Sequence, residues 1–251
     1  HHLELAGIKV YYSSSKLNKE RRPLDMILDI IRLRKKVDYV LIDTYSTSAF
    51  WYAFIIGFIC QIINLKYIPV LHGGNLPERL NKSVWASNRL FKKAHVNVAV
   101  SGYLYNEFTL AGYSTVLVPN SIDIEQYPFT ERKNPKPKLL WVRSFHKQYN
   151  PLLAADVFAE VLKSFPDAEL CMVGPDKDGT LIKFREYATK KGIVTKVKIT
   201  GLLSKKEWTR LSEEYDIFLN TTNVDNTPVS VIEAMALGLA VVSTNVGGIP
   251  F

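Results

Sequence analysis

Apolar positions along the chain fall into two alternating spacings. Compact runs rich in β-branched and aromatic residues occur at GIKVYYSSS (7–15), DYVLIDTYS (38–46), YIPVLHGG (67–74), NVAVS (97–101) and TVLVPNS (115–121). A second series follows at KLLWVRSFH (138–146), AELCMVGPD (168–176), VKITGLLS (197–204), DIFLNTT (216–222) and LAVVSTNV (239–246). These have the length and composition of strands. Between them apolar residues recur at helical spacing, as in LDMILDIIRLRKK (24–36), whose closing cations suit a helix C-terminus. A basic connection at 16–22 precedes that helix. Strand and helix therefore alternate, which predicts an α/β fold with mostly parallel sheets.

Two stretches depart from the alternation. FWYAFIIGFICQII (50–63) is apolar all round over 14 residues, short of the ~20 needed to span a bilayer. A buried crossover helix is the expectation; an interfacial membrane helix is the alternative, carried by Phe50, Trp51 and Tyr52. FTERKNPKPK (129–138) has two prolines, five charges and no apolar run, the composition of an interdomain linker. The expected organisation is a first domain over residues 1–128, a linker over 129–137 and a second domain over 138–251.

The final stretch, DNTPVSVIEAMALGLAVVSTNVGGIPF (225–251), is the most informative. Thr227 is placed to cap a helix that opens with Pro228, and Gly238 to close it in a left-handed conformation. Val229, Ile232, Met235 and Ala236 form an apolar stripe on that helix, with Ser230, Glu233 and Leu237 on a neighbouring face. Glu233 is the only charged side chain after Asp225. If it is buried it needs donors, and a ligand's hydroxyls would serve. Gly247 and Gly248 turn the backbone at the carboxyl end of the last strand, where ligands of open α/β sheets bind.

The chain has 251 residues, 47% of them hydrophobic, enough for two α/β domains of ordinary size. Cys60 and Cys171 lie far apart in apolar runs and read as buried thiols, which fits reduced, cytoplasmic surroundings. Neither has the neighbours of a zinc site. Net charge is +8, which admits nucleic acid, an anionic membrane or a phosphorylated substrate. No helix-turn-helix, zinc-finger or RNP pattern supports nucleic acid.

The string from Asp225 onward, with Asp-x7-Glu, EAMALG, VVST and GGIP, resembles the carboxyl-terminal signature of retaining glycosyltransferases of the GT-B fold, closest to glycosyltransferase family four. The family pattern is Glu-x7-Glu, so Asp225 is one methylene shorter than the usual first acid. VPNSID (118–123) is similar to the family's VPNGID, with Ser121 where glycine is usual. The resemblance implies two Rossmann-like domains facing a cleft. It also implies a strand with a glycine-rich turn before Gly7 and helices beyond Phe251, so both chain ends are expected to be incomplete.

What the resemblance implies for the site can be placed residue by residue. Asp225 stands near the donor sugar and Glu233 on the nucleotide ribose, with Thr227, Pro228 and Val229 between them. Arg143 and Lys147 would neutralise the donor diphosphate, whose charge grows as the glycosidic bond breaks. Backbone groups at Gly201 and Leu202 would border the base. His72, at a strand end before two glycines, would face the cleft, and Ser101 would open a helix whose N–H groups meet an anion. The donor is then a nucleotide-diphosphate sugar, and the acceptor a glycan or a lipid-linked sugar. Metal is not implied, because cations and a helix N-terminus can do the charge work.

Alternatives of other classes are a nucleotide-sugar epimerase of the same architecture and a degenerate transferase that only binds a glycan or partner protein. Lys16, Lys19, Arg21, Arg22, Lys82, Arg89, Lys92 and Lys93 share the first half with the apolar 50–63 segment. That grouping predicts a peripheral contact with the inner face of a membrane, against an ordinary lysine-rich surface.

Overall fold

The computed structural model describes residues 2–14 and 21–251, excepting the side chains of residues 2 and 21. The chain divides into two compact units, His1–Val118 and Pro119–Phe251.

The first unit runs α1 (His2–Leu5), α2 (Arg21–Leu33), β1 (Tyr39–Thr44), α3 (Phe50–Ile62), β2 (Lys66–Leu71), α4 (Leu76–Lys82), α5 (Val84–Phe91), β3 (Asn97–Ala99), α6 (Gly102–Leu110) and β4 (Thr115–Leu117). Its four strands pair in the order β1-β2-β3-β4, all parallel. The strand expected at 7–15 is absent over residues 8–14. Ile8 and Tyr12 there are 53% and 74% exposed, and residues 8–14 pair with no strand among the described residues. The basic connection expected at 16–22 lies outside the described residues up to residue 20, and its last two residues open α2.

Helix α3 resolves the all-round apolar stretch into two faces. Phe50, Ala53, Ile56, Gly57 and Cys60 recur every three to four residues and are buried. Gly57 permits the close approach of α5, since a Cβ there would meet Leu90 at 2.6 Å. Tyr67 on β2 locks the same junction, its hydroxyl donating to the Leu90 carbonyl at 2.7 Å.

The second unit runs β5 (Lys138–Val142), α7 (Pro151–Ser164), β6 (Glu169–Val173), α8 (Thr180–Lys190), β7 (Val197–Gly201), α9 (Lys205–Leu211), β8 (Ile217–Asn220), α10 (Val229–Ala236) and β9 (Ala240–Ser243). The strand order is β7-β6-β5-β8-β9, all parallel. The order reverses direction between β5 and β8, which is the topological switch point of a doubly wound sheet. Trp141, Phe145, Phe158 and Phe184 pack in one core layer and are fully buried. Each ring contributes roughly 2–3 kcal/mol by leaving water.

Residues 129–137 behave differently from a free linker. Arg132, whose side chain is 7% exposed, donates to the carbonyls of Tyr215, Leu237 and Ser212 at 2.9, 2.7 and 3.0 Å. Tyr127 is buried in the core of the second unit. The guanidinium satisfies carbonyls left over at helix ends, and the division of the chain accordingly falls at Val118/Pro119.

Gly238 closes α10 as its sequence position suggests, with φ +78°. Gly238 N–H donates to the Met235 carbonyl and Leu239 N–H to the Ala234 carbonyl, each at 3.0 Å, the paired bonds of a Schellman motif. The other end differs from expectation. Pro228 is the residue before the first helical turn, with ψ 109°, rather than the first residue of the helix. The expected apolar stripe is only partly inward: Ile232 and Ala236 are half-buried, and Ala236 packs on the core. Val229 and Met235 are 37% and 62% exposed, whereas Glu233, Ala234 and Leu237 are buried. The helix packs its Glu233 face inward because that face carries the small Ala234 and finds polar partners for the carboxylate.

Candidate active site

The switch point brings together the loops that follow β5 and β8, and each contributes a charge. Arg143 is the first residue after β5, and its Nη2 lies 2.7 Å from Asp225 Oδ2. The two side chains are 14% and 15% exposed. The guanidinium also lies over the Tyr149 ring, 4.9 Å from its centroid. Arg143 Nε is buried and has no hydrogen-bond partner among the described residues. The fork is thus held by a carboxylate and a ring while keeping one donor uncommitted.

Glycines make this geometry possible. A Cβ on Gly248 would come within 1.6 Å of the Asn226 carbonyl oxygen, and one on Gly247 within 2.2 Å of that of Asp225. Gly248 N–H donates to the Asp225 carbonyl at 3.0 Å. The GGIP turn therefore clamps the backbone that presents Asp225. Gly174 does the same on the other side, since its Cβ would lie 1.8 Å from the Arg143 carbonyl oxygen.

The two loops are further stitched by residues that the sequence reading passed over. Asn223 N–H donates to the Gln148 carbonyl at 2.8 Å, and its side-chain amide to the Lys147 carbonyl at 3.0 Å. Thr221 accepts from Trp141 Nε1 at 3.0 Å and donates to the Tyr149 carbonyl at 2.9 Å. Thr222 donates to the Val224 carbonyl at 2.9 Å. The available signal was the polar cluster Thr221, Thr222, Asn223 directly after an apolar strand, side chains suited to satisfying loop backbone.

Glu233 is 7% exposed and does find donors. Its Oε1 accepts from the Tyr127 hydroxyl at 2.7 Å and pairs with Lys205 Nζ at 2.8 Å. The Glu233 hydrogen bond, with a further one to Tyr127, holds the Lys205 ammonium above the ordinary lysine range. Lys205 also lines a cavity of about 280 Å³ together with Arg143, Gly174, Leu202 and Trp208. This cavity opens over the carboxyl ends of β5, β6 and β7. Gly201, with φ +75°, ends β7 and accepts from Gly174 N–H at 2.8 Å. Leu202 is 74% exposed beside it.

Other expected residues stand further from this centre. Lys147 is exposed on a short 3-10 turn, where its N–H donates to Asp178 Oδ2 at 3.0 Å. The Thr227 carbonyl accepts from Asn120 Nδ2 at 3.3 Å, and Thr227 stands one residue before Pro228, the residue that precedes α10. Pro228 is buried and Val229 is exposed. An Asp-x-Asp spacing is present at Asp176 and Asp178, which the expectation of a metal-free donor site left out of account. Asp176 accepts from Gly179 N–H at 3.0 Å, and Asp178 from Thr180 N–H at 3.2 Å and from the Thr180 hydroxyl. These bonds fold the loop onto the start of α8. Among the described residues no three His, Cys, Asp or Glu side chains are grouped to hold a metal.

In the first unit His72 lies just beyond β2. Its Nε2 is 3.0 Å from Asp43 Oδ1, and its ring stacks on Tyr45 with centroids 5.4 Å apart. The hydrogen bond to His72 lowers the Asp43 carboxyl below the usual range. Ser101 is 4% exposed and caps α6, its Oγ accepting from Leu104 N–H at 3.1 Å. That oxygen serves the helix end.

The family model described as "Glycosyl transferases group 1" matches residues 123–250. A polypeptide of human phosphatidylinositol N-acetylglucosaminyltransferase is 25% identical over 135 residues, which span 53% of this chain and 28% of that protein. Among solved structures, Anabaena HepE in complex with UDP-glucose matches with a TM-score of 0.73 at 18% identity, over 98% of this chain and 70% of that one. Sucrose-phosphate synthase from Thermosynechococcus elongatus matches with a TM-score of 0.72 at 14% identity, over 93% of this chain and 64% of that one. At these identities the likeness is one of fold, an α/β architecture with parallel sheets of the GT-B type.

Proposed function

The chain belongs to the glycosyl transferases group 1 family, and on that premise we propose that it moves a sugar from a nucleotide-diphosphate sugar to a hydroxyl of a glycan or lipid-linked acceptor. The observation that carries the reading is the Arg143–Asp225 pair at 2.7 Å on the switch point of the second sheet. A cation held there by a carboxylate and a ring, in the lining of the cavity over β5, β6 and β7, suits a leaving diphosphate. Relatives of similar fold include a structure holding UDP-glucose, which supports a donor of that class.

In this reading the base lies over Gly201 and Leu202, and the ribose meets Glu233. Arg143, with Lys147 as a second and weaker cation, neutralises the diphosphate as the glycosidic bond breaks. Charge that develops on the leaving group is stabilised only in the transition state, so the Arg143 effect falls on turnover more than on donor affinity. Asp225 orients Arg143 and stands beside the sugar. Following the family resemblance, the reading takes the reaction to retain configuration by attack on the face from which the diphosphate departs, with the leaving phosphate taking the acceptor proton. No step requires a metal.

The test is a screen of nucleotide sugars for release of nucleoside diphosphate by the purified chain, followed by NMR of the anomeric proton of the product. Release of one nucleoside diphosphate with the donor's anomeric configuration kept is expected. Altered sugar still attached to the nucleotide would make the protein an epimerase, and tight donor binding without release would make it a binder.

A further inference from the structure

The outward face of α3 continues into α5 as an aromatic surface that the donor site does not use. Trp51 and Ile55 are 45% and 36% exposed, Ile62 is 63%, and on α5 Val84 and Trp85 are 56% and 72% exposed. The rings are in contact: Phe54 lies 5.8 Å from Trp51, 5.5 Å from Trp85 and 6.3 Å from Phe58, centroid to centroid. A fully soluble surface seldom leaves two tryptophans together in water.

Charge is distributed unevenly around this patch. Between Ser46 and Asn106 the sequence has six Lys or Arg and a single acid, Glu78. Glu78 is paired with Lys82 at 2.6 Å. Arg89 sits over the Phe58 ring at 5.4 Å, which joins the cations to the aromatic surface, and Lys92 and Lys93 follow at the end of α5, both exposed. Exposed tryptophans flanked by cations match the interface of a bilayer with anionic headgroups: the rings settle at headgroup depth and the cations meet phosphate. A protein partner with an acidic rim would meet the cations, but gives less reason for two tryptophans to stand exposed beside them. No helix among the described residues is long and apolar enough to cross a membrane, so the contact is one of surface docking.

We propose that the α3–α5 face, through Trp51, Trp85, Arg89, Lys92 and Lys93, docks the protein on an anionic lipid bilayer. This does not depend on the reaction proposed above.

The tryptophans make it testable. Trp141 and Trp208 are 0% and 6% exposed, so a change in tryptophan emission on adding lipid reports Trp51 and Trp85. Vesicles of phosphatidylcholine alone are compared with vesicles mixed with phosphatidylglycerol, by co-sedimentation and by fluorescence. The full chain is expected to bind the mixed vesicles, to lose that binding as salt rises, and to shift its emission to the blue. Lys92→Gln with Lys93→Gln is expected to weaken binding by about fivefold for each cation removed, and Trp85→Ser to diminish the blue shift. All three positions are exposed, and circular dichroism checks that the variants remain folded. Equal recovery in the supernatant with both vesicle types overturns the proposal. So does binding without an emission change, or binding that the double variant retains in full, because another surface then carries it.

Discussion

Both units place polar residues just beyond the carboxyl ends of parallel strands, yet among the described residues the second buries its Arg–Asp pair while the His72–Asp43 pair of the first stays near the surface. After β5 and β8 the loop backbones are satisfied by Thr221, Thr222, Gln148 and Asn223. Arg143, Asp225 and Glu233 are held among them: Asp225 accepts from Arg143 at 2.7 Å and from the Asn226 N–H at 2.8 Å, and Glu233 from Tyr127 and Lys205. After β2 and β3 the counterpart residues are consumed locally: Ser101 caps α6, and His72 is hydrogen-bonded to Asp43 near the surface. In the second unit side chains of the loops meet much of the backbone's hydrogen-bonding need, which lets charges from two strand ends meet each other.

The largest effect that would break this contrast is at the glycine clamp. Gly248→Ala places a methyl 1.6 Å from the Asn226 carbonyl oxygen and must displace the turn that presents Asp225. A loss on the order of 3 kcal/mol in denaturant unfolding is expected. In the first unit Gly112, at φ +80° with no heavy atom within 4 Å of its Cβ position, should cost only about 1 kcal/mol on Gly112→Ala. Similar losses at the two positions would show that the clamp is not the constraint described.

Arg143→Ala comes next. Turnover should fall by about 10²–10³-fold, while donor affinity changes less. Steady-state kinetics with the donor found by screening decides this, and an effect confined to the Michaelis constant would remove the diphosphate role. Lys147→Ala should act in the same direction and more weakly, since the residue is exposed on its turn.

The smallest effect is at Asp43. Its carboxyl is lowered by the His72 hydrogen bond, so the stabilisation is present above the ordinary carboxylate range and is lost as pH falls through the lowered value. The side chains are 30% and 70% exposed, and solvent screening holds the term to a few tenths of a kcal/mol. Asp43→Asn should therefore match the parent in unfolding at low pH and lie slightly below it at neutral pH. A larger deficit at acid pH than at neutral pH would have the wrong sign.

The alternation of apolar runs made the parallel α/β sheets legible, because a strand buried on both faces is apolar throughout and its crossover helix is not. Residues 8–14 misread as a strand because composition records the wish to be buried and not the presence of a partner. In α10 the periodicity was right but the inward face is rotated toward Glu233, which enters because Tyr127 and Lys205 await it, and neither is near in sequence. Residues 129–137 read as a linker by composition. Arg132 there finds three carbonyls separated from it by about 80 to 105 positions, which no local pattern reveals. Arg143 and Asp225 were each nameable from the resemblance, but their pairing is a property of the switch point.

In the proposed reaction the second unit holds the donor nucleotide through Glu233. Calorimetric titration of the parent, Glu233→Gln and His72→Ala with a panel of nucleoside diphosphates tests this directly. One nucleoside diphosphate should bind the parent, bind Glu233→Gln at least about tenfold more weakly, as a lost charge-assisted hydrogen bond requires, and bind His72→Ala with unchanged affinity. Undiminished affinity in Glu233→Gln, or a loss in His72→Ala instead, would contradict it.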